Sequence, residues 1–166
     1  MSIQLKDKLP RNNWGWLYAS VAVLMADQIS KALVTHRLAP YQAQALLPHL
    51  NLITMHNTGA AFSMFAQAPA LVFLVLAAAV SAGILYWLHR NPHGQHLLAA
   101  GFSLILGGAL SNALDRVTRG FVVDFIDFYI GHWHFAAFNL ADAAITAGAG
   151  LLIMDMLLQA RSSRSG

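Results

Sequence analysis

Cysteine is absent from the chain, which excludes disulfides and thiolate metal sites. Glutamate is absent too, so every one of the seven acidic residues is an Asp. Charge of either sign is scarce: 10% of 166 residues, where a soluble domain of this size carries about 25%. No Ser sits in a Gly-x-Ser-x-Gly context or beside an evident base, so acyl-enzyme chemistry has no nucleophile. The stretch 107–112, "GGALSN", is followed by no Lys-Ser/Thr pair and is not a phosphate loop; its small residues suit close helix packing. Internal repeats, low-complexity runs and composition breaks are lacking as well. Residues 1–166 therefore read as one integral-membrane domain.

What the chain has is apolar length. Hydrophobic residues make up 57% of it, and four runs reach the roughly 17–25 residues a helix needs to cross a bilayer. They lie near residues 14–34, 70–88, 97–114 and 138–158. Lys6, Lys8 and Arg11 before the first run give it the look of a secretory signal peptide, but three more spans and no convincing cleavage site favour its retention. The basic N-terminal tail, Arg90 in the second loop, and Arg161 with Arg164 in the C-terminal tail fall on one side. By the positive-inside rule that side is cytoplasmic and holds both termini. The bias is modest, because Arg37, Arg116 and Arg119 fall in the two long outer loops, near 35–69 and 115–137. The net charge of +3 sits mostly in the tails and helix ends, which speaks for membrane orientation and not for a nucleic-acid partner.

The outer loops carry structure of their own. Residues 50–56, "LNLITMH", read as a strand. Residues 121–130, "FVVDFIDFYI", are rich in β-branched and aromatic residues, and Gly131 can turn them into 132–135 as a hairpin. Residues 59–67, "GAAFSMFAQ", suit a short interfacial helix. The expected fold class is membrane α-helical: four transmembrane helices, a small extracytoplasmic β-cradle and a short interfacial helix.

On this topology the polar residues gather at one membrane level. Asp27 and Lys31 lie in the outer part of the first span, Asn112, Asp115 and Arg116 at the outer end of the third, and Asn139 and Asp142 at the outer start of the fourth. Asn57 and Asp124 are in the outer loops. Asp155, near the inner end of the fourth span, is the exception. Each has an ordinary explanation alone. Asp27 and Lys31 are an i,i+4 pair, Asn139 is a helix cap, Asp142 suits a helix N-terminus, and Arg116 and Arg119 can snorkel to headgroups. Those explanations do not account for convergence from three spans and two loops.

Paired carboxylates are the chemistry this gathering suggests. Two Asp side chains a few Å apart share a proton, so one can activate water while the other polarises a carbonyl. Asp142 is one candidate. Its partner comes from the hairpin as Asp124 or Asp127, which an odd separation sends to opposite faces of a regular strand. Both faces are apolar, so alternation leaves the choice open. His132 and His134 share a strand face, but two imidazoles are too few for a metal site. A proton-coupled transporter is the rival reading; its acids would sit near the midplane between repeats, and here they sit at one edge.

Five blocks in order, "DQISK" at 27–31, "NTGAAFS" at 57–63, "GGALSNALDR" at 107–116, "VVDFIDF" at 122–128 and "FNLADAAITAG" at 138–148, make the chain resemble the lipoprotein signal peptidases (signal peptidase II). These are bacterial inner-membrane aspartyl peptidases, and the resemblance spans roughly residues 14–158. It implies four transmembrane helices, both termini cytoplasmic, a β-cradle at the outer face and an interfacial helix. The implied activity is removal of the signal peptide from diacylglyceryl-modified prolipoproteins, cutting before the lipidated Cys. Carried over block by block, the resemblance implies Asp124 and Asp142 as the catalytic pair, with Asp127 structural or secondary. Asp27, Lys31, Asn57, Gly59, Asn112, Arg116 and Asn139 are implied as the supporting set. It further implies a membrane-lipid environment, inhibition by globomycin-type cyclic peptides, a monomer, and no cofactor or metal. Ser111 stands where many members have Gly; a small residue remains, so close packing should survive. Residues 57–67 are expected to act as a mobile flap over the site.

Overall fold

All four apolar runs are helices long and apolar enough to cross a bilayer. The computed structural model describes residues 12–59, 69–91 and 94–163. A 3₁₀ turn, Trp14–Trp16, leads into α1, Leu17–Arg37. Strands β1 (Ala43–Leu47) and β2 (Leu50–Asn57) follow, then α2 (Ala70–Arg90) and α3 (His96–Arg119). Strands β3 (Val122–Ile130) and β4 (Trp133–His134) precede α4, Leu140–Ser162.

Helix α1 is polar inside and apolar outside. Tyr18, Val21, Met25, Ile29 and Leu33 form an exposed stripe, while Ser20, Asp27 and Lys31 are buried. Acyl chains solvate Leu or Met as well as a protein core does, so packing and polar contacts, not apolar burial, decide which face turns inward. Helix α3 is the hub and packs on α1, α2 and α4. Glycines let it come close. A Cβ at Gly107 would meet Ser20 O at 2.5 Å, one at Gly101 would meet Gly148 O at 2.9 Å, and one at Gly108 would collide with Ala141 O. Between α2 and α3 the core is Ile84, Leu88, Ala99 and Leu106.

The sheet is antiparallel in the order β1-β2-β3-β4. Connectivity places it where α1 and α3 finish and α2 and α4 begin. Val34 of α1 and Leu38, just past its end, pack on Phe125 beneath it. Gly120, at φ +80, ends α3 in the left-handed conformation that lets the chain turn straight into β3. Gly131, at φ +61, turns β3 into β4, as its place in the sequence suggests.

The structure differs from the sequence reading in a few places. Helix α3 runs to Arg119 and not 114, so Asp115 and Arg116 are helical residues and not loop. Helix α4 starts at Leu140, because Phe138 pairs with Ile126 as an isolated bridge instead of joining the helix. Strand β1 falls where the sequence reads as loop. Its five residues are all exposed and lack an apolar alternation, so only pairing to β2 makes them a strand. The expected interfacial helix at 59–67 and flap at 57–67 fall, beyond Gly59, outside the described residues.

Candidate active site

Strand β3 delivers Asp124 to the underside of the sheet. Met55 of β2 lies opposite it, and Asn57 lies opposite Val122, one diagonal step away on the same face. From there Asn57 donates to Asp124 Oδ2 at 2.8 Å and holds Gly59 N through its own Oδ1 at 2.9 Å. Asp124 is only 2% exposed. Burial pushes its carboxyl up to about 6, with the charge of Asp142 adding to the rise and the hydrogen bonds from Asn57 and Asn139 opposing it.

Helix α4 delivers Asp142 in its first turn. Asn139 is the N-cap: its Oδ1 accepts Asp142 N at 2.9 Å, and Asp142 Oδ2 accepts Asn139 N at 3.2 Å. This is a reciprocal capping box, with Asp in the place where Glu is usual. The cap is also a bridge, because Asn139 Nδ2 donates to Asp124 Oδ1 at 2.7 Å. The ordinary explanation of Asn139 as a cap is therefore correct and incomplete.

The remaining supporting residues converge on the same place. Asn112 of α3 donates to Asp142 Oδ1 at 2.8 Å. Its Oδ1 accepts from Lys31 at 3.1 Å, which fixes which end of the amide faces Asp142. Lys31 also contacts Asp27 at 2.6 Å and Asp115 at 2.8 Å. Its ammonium thus has an acceptor for each of its three donors, as a fully buried lysine requires. Arg116 donates to Gly59 O at 2.7 Å and to Asn112 O at 3.2 Å, and its guanidinium lies 4.4 Å over the Phe73 ring of α2. All nine residues singled out from the sequence are thus brought to one end of the bundle.

Asp127 is engaged elsewhere. Asn51, directly opposite it on β2, donates to its Oδ2 at 2.9 Å, and His134 Nδ1 lies 2.9 Å from Oδ1. Three residues escaped the supporting set: Asp115, Gln28 and Ser111. Ser111 Oγ donates to Asp27 Oδ2 at 2.7 Å, and Gln28 Nε2 donates to Ser111 Oγ and to Asp115 Oδ1, each at 2.9 Å. Ser111 therefore does more than preserve close packing. The available signal was spacing, since Asp115 stands four residues before Arg119 and the two pair.

Asp124 and Asp142 border one open cavity of about 660 Å³. Its polar wall is Asn57, Asn112 and Arg116, and Phe135, Phe138 and Ile145 are prominent in its larger apolar wall. Asp127 does not line it. A pair of carboxyls, each oxygen hydrogen-bonded and the pair opening onto apolar volume at one end of the helix bundle, can perform acid–base hydrolysis of a lipophilic chain.

The chain is similar to known proteins. The model of the family described as signal peptidase (SPase) II matches residues 19–158. A lipoprotein signal peptidase of Coxiella burnetii (strain RSA 331 / Henzerling II) is 43% identical over 154 residues, covering 91% of this chain and 94% of the relative. That of Alteromonas mediterranea is 44% identical over 144 residues, covering 85% and 79%. A solved structure described as a bacterial membrane enzyme has a TM-score of 0.82 at 27% identity, covering 92% of this chain and 94% of that one.

Proposed function

Because the chain belongs to the signal peptidase II family, we propose that it is a multi-pass aspartyl endopeptidase of the bacterial inner membrane that trims signal peptides from lipid-modified prolipoproteins. The observation that carries the aspartyl reading is the placement of Asp124 and Asp142 on one cavity, tied together through Asn139. The cut falls before the lipidated Cys. The site faces the periplasm and both termini face the cytoplasm, in line with the basic residues of the tails and of the second loop.

The pair works with one shared proton. We assign it to Asp124, the strand carboxyl that burial pushes up to about 6. Asp142 takes a proton from water, and the water oxygen adds to the scissile carbonyl carbon while Asp124 gives its proton to the carbonyl oxygen. Asp142 then protonates the amide nitrogen as the C–N bond breaks. A hydroxyl proton of the collapsing diol returns to Asp124, which restores the starting state. Asn57, Asn112 and Asn139 hold the two carboxyls, and Arg116 ties Gly59 to α3. The apolar wall receives the acyl chains, and the signal helix packs beside α4.

Mass spectrometry of products from a purified diacylglyceryl prolipoprotein tests the substrate and the cut. The expected result is one new N-terminus at the lipidated Cys, with the unlipidated precursor left whole. Equal cutting of both precursors, or solute flux without cutting, would overturn the reading.

A further inference from the structure

Two buried carboxylates hold the backbone just ahead of each dyad member. Asp27 Oδ1 accepts the N–H of Ala141 at 3.0 Å, and Ala141 precedes Asp142. Asp115 Oδ2 accepts the N–H of Val123 at 3.3 Å, and Val123 precedes Asp124. Lys31 joins them, at 2.6 Å from Asp27 Oδ2 and 2.8 Å from Asp115 Oδ2. All three side chains are 0% exposed. An outer ring locks the carboxylates: Ser111 on Asp27, and Gln28 and Arg119 on Asp115.

The two dyad residues come from unlike elements, a strand and a helix, tied directly by the Phe138–Ile126 backbone pairing and by Asn139, and the two carboxylates add a second tie through α1 and α3. Surface ion pairs place nothing, because they are weak and mobile. A fully buried cluster differs, since turning either carboxylate strands a charged neighbour in low dielectric. Asp115 Oδ2 cannot swing from Val123 N without leaving Lys31. From these contacts we infer that Asp115 is a positioning residue for the dyad, paired through Lys31 with Asp27, and that the two carboxylates together set the spacing of Asp124 and Asp142. This deepens the dyad reading and rests on it.

A cluster that only stabilised the bundle would change folding and leave turnover per folded molecule alone. The test is steady-state cleavage of a diacylglyceryl prolipoprotein by purified Asp115→Asn across pH, normalised to folded protein. We expect kcat to fall by about tenfold or more with KM within about twofold, because a misplacement near 1 Å can cost about 100-fold. The limb of the pH profile governed by Asp124 shifts as well. Gln28→Ala keeps both carboxylates and both cations, and it decides the matter should Asp115→Asn not fold; a smaller kcat loss and a shifted limb are expected. Asp155→Asn, at the other end of α4, is the unchanged control. Normal kcat and an unmoved limb in the folded variants would overturn the clamp. Asp124→Asn and Asp142→Asn run alongside: if they keep activity, the dyad reading itself fails; if they lose it while Asp115→Asn and Gln28→Ala are normal, only the clamp fails.

Discussion

Asn139 donates its side-chain amide to Asp124 Oδ1 at 2.7 Å while capping the helix that carries Asp142. One side chain thus couples a local helix-end interaction to a contact across the site. Asn139→Ala should lose about 1 kcal/mol of stability as an ordinary cap does, yet lower turnover by about 100-fold, as expected for a displaced reacting group. Thermal unfolding and cleavage rate measured on the same preparation check the two effects separately. Proportionate small losses in both would reduce Asn139 to a cap.

The hydrogen bond from Asn57 favours the ionised form of Asp124 and opposes the rise that burial causes. Its removal in Asn57→Ala disfavours ionisation, so the Asp124 limb of kcat/KM, set near 6 in the intact site, moves to higher pH. A pH–rate profile reads the direction. Movement to lower pH would contradict the assignment of that limb to Asp124.

Asp124 should also cost stability. Its carboxyl is near 6 folded against 3.8 unfolded, so the folded chain binds more protons between those values and stability falls as pH rises through that window. Once both states are ionised the penalty is on the order of 3 kcal/mol. Asp124→Asn removes it. The variant should unfold at a higher temperature than the wild type at pH 8 and at a similar temperature near pH 4. Equal curves at pH 8 would count against the burial argument.

Close packing of α3 on α4 sets where Asp142 stands. A Cβ at Gly108 would strike Ala141 O and come within 2.8 Å of Ile145 Cγ1. Gly108→Ala must therefore push back the first turn of α4. We expect a stability loss of about 1–3 kcal/mol, typical of overpacking, and a turnover loss beyond what unfolding explains. Gly83 has nothing within 4 Å of its would-be Cβ, so Gly83→Ala in α2 should match the wild type. Similar behaviour of the two variants would refute the packing argument.

How much of this was legible depended on the kind of signal. The spans were plain, because roughly twenty apolar residues admit few readings. Polar residues inside them, such as Asp27 and Lys31, were conspicuous for the same reason. The partner of Asp142 was not legible from alternation. Asp124 and Asp127 are both buried, each held by polar neighbours that only the β2–β3 register reveals: Asn57 beside one and Asn51 beside the other. An extra residue in β2 between Leu52 and Met55 sets that register, and nothing in "LNLITMH" marks it. The block resemblance, not the spacing, pointed to Asp124. Asp115 was visible but looked like a span-end residue until α3 proved to continue past it to Arg119.

The central claim is that Asp124 and Asp142 perform the hydrolysis together. Cleavage of a purified diacylglyceryl prolipoprotein by Asp124→Asn and by Asp142→Asn tests it most directly. Both substitutions keep size and hydrogen-bonding capacity while removing the titrating group. The account predicts folded variants whose turnover each falls by about 10³-fold or more, with no further loss when the two are combined, as for groups that act as one unit. Near-normal turnover in either single variant would contradict it.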